Sequence, residues 1–105
     1  MKNGLYKVEF QTQRGAGAGV VTLMDGKLGG GDSGIYYVGE YSVSGDDVTA
    51  KVRTGRHTQG LDSVFGADRL NITMKGKVSG DGATFTATAV EAPGVTMQGR
   101  LSKIG

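Results

Sequence analysis

The residues of this chain that could do chemistry are few and scattered. His57 is its one histidine, so no His–His metal pair can form. Asp62 follows in a stretch with no regular pattern, and no carboxylate stands at a recognisable ligand spacing. His57 therefore reads as a solvated loop residue. With no cysteine there is no thiolate nucleophile, no disulfide and no thiolate zinc site. None of the serines at 33, 42, 44, 63, 79 and 102 sits in a nucleophile elbow. Glu9 and Glu40 give no sign of a paired-carboxylate site. The run Arg14-Gly15-Ala16-Gly17-Ala18-Gly19 contains a GxGxG spacing, which cradles phosphate when a helix opens directly behind it. Here Val20-Val21-Thr22-Leu23-Met24 follows, a strand pattern, so the glycines read as a flexible turn. No catalytic constellation, metal site or cofactor is expected, and the chain is read as non-enzymatic.

Charge offers two further features. Asp46 and Asp47 stand together at the tip of a hairpin, where they could meet a basic partner surface or could only shape the turn. Lys51, Arg53, Arg56 and His57 cluster at the end of the next strand, and Arg69, Lys75 and Lys77 could extend them. No outward aromatics are interleaved for base stacking, and twelve basic residues face ten acidic ones, a net charge of +2. A solvated face is the better reading, and nucleic acid is not expected as a partner.

The elements that must carry these residues are strands. Residues 34–54 form the clearest hairpin: Ile35, Tyr37, Tyr41 and Val43 share one parity, Val48, Ala50 and Val52 repeat it, and Ser44-Gly45-Asp46-Asp47 makes the turn. Earlier, 5–12 reads as a strand with Tyr6, Val8 and Phe10 inward; 20–24 and 27–30 form a hairpin about Asp25-Gly26; and residues 29–32 give a kink or bulge. Later, 69–79, 83–90 and 95–103 alternate in the same way, joined by Gly80-Asp81-Gly82 and Glu91-Ala92-Pro93-Gly94. Residues 54–66 break the alternation. Leu61, Val64 and Phe65 there have helical spacing, which predicts a short helical turn or loop near 58–66 tucked under the sheet.

Eight strands with short connections predict a small all-β, antiparallel, up-and-down barrel over residues 1–105, one domain by size. Twenty glycines and one proline, spread between alternating segments, read as turns, bulges and corners. No apolar run approaches the length of a membrane-spanning helix and no signal-like opening is visible, so a soluble, cytoplasmic protein without a membrane partner is expected. Eight strands close around an interior that side chains fill or that holds one small ligand. Phe10, Tyr37, Tyr41, Phe85 and Met97 would line such a space. Inward Gly39, Gly76 and Gly99 would leave room, whereas strands this short favour a filled core. Outward Leu5, Tyr36 and Val38 give an apolar stripe suited to a dimer contact; alternatively, a bulge at 31–34 shifts the register and buries Tyr36 in place of Tyr37.

The opening Met1–Phe10, the run from Gly17 through Tyr41, and Val48–Gly66 resemble the GrlR-like negative regulators of type III secretion. Asn3-Gly4-Leu5-Tyr6, Gly26-Lys27-Leu28 leading to Gly30-Gly31-Asp32, and Ser63-Val64 carry the resemblance most specifically. It implies a lipocalin-like eight-stranded barrel that forms a homodimer and acts by binding a transcriptional activator. It also implies an acidic partner-binding motif on an exposed turn. The matching turn here keeps only Asp46 and Asp47 of that motif. A small hydrophobic-ligand-binding barrel is the alternative function.

Overall fold

The computed structural model describes residues 1–60 and 66–105. The helical turn expected near 58–66, with the tucking of Leu61, Val64 and Phe65, falls mainly outside them. The described residues form eight strands: β1 (Gly4–Thr12), β2 (Gly15–Met24), β3 (Lys27–Gly31), β4 (Ile35–Ser44), β5 (Asp47–Arg56), β6 (Leu70–Ser79), β7 (Gly82–Ala89) and β8 (Thr96–Lys103). Every sequential pair is antiparallel, and β1 also pairs with β8. The result is a closed up-and-down barrel. Closure gives every described strand a neighbour on both sides, with residues 15–19 of β2 and 41–44 of β4 running past the short β3.

Turn chemistry fixes the register. Asp25 and Gly26 both have positive φ, at 50° and 85°, the pattern of a type I′ hairpin whose twist matches the strands. Asn3 clasps this turn: its Nδ2 donates to Asp25 Oδ1 at 2.9 Å, and its Oδ1 accepts from the Asp25 N–H at 3.0 Å. At the β4–β5 tip only Gly45 is left-handed, at +62°, and Ser44 pairs directly with Asp47.

Strand parity puts Tyr6, Val8, Val21, Leu23, Val48, Ala50, Met74, Phe85, Ala87 and Leu101 in the core. Tyr37 faces inward and Tyr36 outward, so the parity read from the hairpin holds and no bulge exchanges the two rings.

The glycine-rich run is a correction to the sequence reading. Gly15–Gly19 is not a turn but the first half of β2, paired with Phe10 and its neighbours on β1; the reversal lies at residues 13–14. The reason is on the facing strands. A Cβ at Gly17 would lie 2.8 Å from the Phe10 ring, and one at Gly19 3.0 Å from the Tyr37 ring. The glycines are strand positions on which aromatic rings rest. One inward row runs Gly76, Phe85, Gly99, Phe10, Gly17 across five neighbouring strands, alternating glycine with ring. The expectation that Gly76 and Gly99 leave room is thereby overturned: a Cβ on Gly99 would stand 2.4 Å from the Phe85 ring, and one on Gly76 2.9 Å from Phe85 Cβ. At Gly39 the neighbouring strand's backbone fills the space, with Lys51 O 2.0 Å away.

Candidate functional site

In an up-and-down barrel alternate connections gather at opposite ends. The β3–β4 loop, the β5–β6 connection and the β1–β2 turn therefore share one end. From this end a cavity of about 330 Å³ runs into the barrel. Among the described residues its walls are mostly apolar: Val8, Val21 and Leu28 on β1–β3, Val52, Ile72 and Met74 on β5–β6, and Ala87 and Leu101 on β7–β8. Phe10, Tyr37, Phe85 and Met97 line it, as their parity suggested. The Phe10 and Tyr37 rings meet edge to face, with centroids 6.3 Å apart.

Tyr41 is the exception among the expected lining residues. It is inward but one turn of the pleat nearer the opposite end, beside Ala50, and packs against the core there instead of facing the cavity. At that end the Tyr6 hydroxyl donates to Lys2 O at 2.6 Å, and Ile104 N–H donates to Leu5 O at 2.8 Å, which extends the β1–β8 ladder into both termini.

Polar groups converge at the end that carries the β3–β4 loop. Asp32 Oδ1 accepts from the Gly34 and Ile35 N–H groups at 2.9 and 2.8 Å, which turns the chain from β3 into β4. Asp32 Oδ2 accepts from the Tyr37 hydroxyl in a short hydrogen bond. Burial pushes the Asp32 carboxyl up, but Tyr37 and the two N–H groups outweigh it and hold the carboxyl below its ordinary value. Burial, then the Asp32 carboxylate, push the Tyr37 phenol well above its ordinary value. His57 Nε2 lies 2.9 Å from the Asp32 carbonyl oxygen and Nδ1 2.7 Å from Thr58 Oγ1, so the histidine braces two loops. Arg56 binds both oxygens of Asp68, Nε at 2.9 Å and Nη2 at 2.8 Å, and Thr54 Oγ1 donates to Asp68 O at 2.7 Å. Arg56 thus belongs to an ion pair inside the β5–β6 connection, not to an open basic cluster. No group of three or more His, Cys, Asp or Glu among the described residues could hold a metal ion.

The sequence placed Asp32 in the kink at residues 29–32 and in the Gly30-Gly31-Asp32 stretch of the resemblance, but in no site. The available signal was the Gly-Gly-Gly-Asp-Ser-Gly run, in which an aspartate before a strand can bond its own backbone and so mark a turn.

Two outer sites complete the inventory. Tyr36 and Val38 are neighbours on the outer face of β4, and Leu5 lies across Thr22 and Gly29 from Val38. Val20, outward and exposed, fills in the patch and was not foreseen. Its middle is bare backbone, because two of the three outward positions of β3 are Gly29 and Gly31, the third being Lys27 at the strand's start. Tyr36 lies against Gly55 of β5, where a Cβ would be 2.4 Å from the phenol oxygen. At the opposite end of the barrel, Asp46 and Asp47 are exposed. Asp47 is ion-paired with Lys77 of β6, and the Asp46 carbonyl accepts from the Val78 N–H at 2.8 Å.

No family model matches the chain. A search of curated proteins found no match either. The resemblance to GrlR-like regulators therefore rests on the residues quoted for it.

Proposed function

We propose that the protein is a non-catalytic binding module that holds one small apolar molecule inside its barrel. The observation that carries this reading is the 330 Å³ cavity with apolar walls and polar groups gathered at one end. Ligand pockets commonly span about 300–1,000 Å³ and pair apolar walls with a few placed polar groups. This volume corresponds to about eleven water-sized groups, so the occupant is compact or a short chain. The test is a titration with the neutral fluorophore N-phenyl-1-naphthylamine. A saturable rise in emission at one probe per chain, reversed by 1-decanol and weakened by Ala87→Leu, is the expected result. Emission that stays flat, or that decanol and Ala87→Leu leave unchanged, rejects the reading.

The outer face supports a second reading, in which the barrel acts by protein contact as the GrlR-like resemblance implies. Leu5, Val20, Tyr36 and Val38 surround a glycine-floored strip that a flat apolar partner surface can approach closely. The partner would be a second copy of the chain, with a transcriptional activator as the downstream target. A stable dimer of this kind buries at least about 1,000 Å².

A further inference from the structure

We propose that the cavity selects an amphiphile whose polar end is a cationic or neutral hydrogen-bond donor, read by the Asp32 carboxylate, and that it discriminates against carboxylate-headed molecules. This rests on the reading that the interior holds a small apolar molecule.

The polar groups lining the cavity carry the argument. They are Asp32, Ser33, Tyr37 and Thr54 among the described residues. The two largest hydroxyl donors are already engaged: Tyr37 donates to Asp32, and Thr54 donates to Asp68 O. Asp32 is different. A carboxylate offers about four acceptor sites, and the Gly34, Ile35 and Tyr37 donors occupy three. Oδ2 retains acceptor capacity, so beside the exposed Ser33 hydroxyl the wall offers a ligand an acceptor with a full negative charge. The three internal bonds hold that carboxylate ionised and fixed in place.

Nearby charge does not cancel it. No lysine or arginine lines the cavity among the described residues, and none is ion-paired with Asp32 there. Arg56 approaches the same loop, but its guanidinium is held by both Asp68 oxygens and by Thr58 O. His57 is hydrogen-bonded to the Asp32 carbonyl oxygen, and its charge is the last and smallest of the influences that lower the Asp32 carboxyl. Arg14 stands against Gly66. The chain as a whole carries +2, so its long-range field favours anions. A preference for cations would have to come from the local carboxylate.

The test compares three probes with one chain length, decylammonium, 1-decanol and decanoate. Each displaces N-phenyl-1-naphthylamine from the full-length protein at pH 7, below its micelle concentration. Decylammonium is expected to bind at least about ten-fold more tightly than decanoate, as a partly shielded opposite-charge contact would give, with decanol between them. Asp32→Asn keeps an acceptor for the Gly34 and Ile35 N–H groups but removes the charge. It is expected to narrow the spread to about two-fold. Tyr37→Phe frees Oδ2 and is expected to keep the preference for decylammonium. Equal binding of decylammonium and decanoate by the wild type overturns the proposal while leaving a ligand-binding barrel in place. So does an Asp32→Asn protein that folds and keeps the wild-type spread, because packing and not charge would then set the ranking. If none of the three probes binds, the cavity reading itself fails. The wild-type comparison decides the matter even where a variant does not fold.

Discussion

Asp32 accepts three hydrogen bonds with one side chain and so connects a turn to a buried ring. Asp32→Ala strands two backbone N–H groups on buried residues and the Tyr37 hydroxyl; chemical denaturation should show a loss of about 1–3 kcal/mol. The folded carboxyl lies below its ordinary value of 3.8. Its contribution to stability is therefore complete above that value and is lost as pH falls through the lower, folded one. Acid titration of wild type beside Asp32→Asn should show the wild type losing its advantage only below about pH 4, the ordinary range for aspartate. Asp46 and Asp47 present the opposite case. They are exposed, and the Asp47–Lys77 pair sits in water. The double variant Asp46→Asn, Asp47→Asn should leave the melting temperature nearly unchanged. If the turn meets a basic partner, it should weaken that binding in a salt-dependent way. A lowered melting temperature with unaltered binding would assign the two aspartates to turn geometry alone.

At the scale of the elements, glycine and aromatic residues form one design. The Phe85 ring lies over Gly99 with its Cβ beside Gly76, Phe10 rests on Gly17, and Tyr37 rests against Gly19. Each ring needs a facing strand without a Cβ, so neither half of a pair can change alone. Gly99→Ala should cost about 1–3 kcal/mol by forcing the Phe85 ring from its place. Combining it with Phe85→Leu should recover part of that loss, and a double-mutant cycle in denaturant measures the coupling. Additive losses would show that the contact is not what requires the glycine. The alternation of strands was legible because the side-chain period of two repeats over residues 35–52 and 70–101. The Gly15–Gly19 half of β2 was not. Glycines present no face to read, and their strand state is imposed by rings on β1 and β4, distant in sequence.

For the whole molecule, closure decides which surfaces remain available. With β1 paired to β8, every described strand has a neighbour on both sides, and only the ends of β2 and β4 run past the short β3. The β2–β4 patch is the apolar face on which association is expected. Sedimentation at tens of micromolar should show a dimer, and Val20→Lys with Val38→Lys should return it to monomer. A wild type that stays monomeric removes the self-association reading. The sequence by itself determined the all-β class, the up-and-down order, the hairpin turns at Asp25-Gly26 and Ser44–Asp47, and the inward set Tyr6, Val8, Phe10, Tyr37 and Phe85. These follow from local properties: a two-residue period, and φ values open to glycine and aspartate. Only the tertiary structure decided that Asp32 meets Tyr37, that Tyr41 falls outside the cavity, and that the inward glycines are covered by rings or by neighbouring backbone. Those outcomes depend on strand register and barrel stagger. Both are set by the closing of all eight strands together, and no window of the chain contains them.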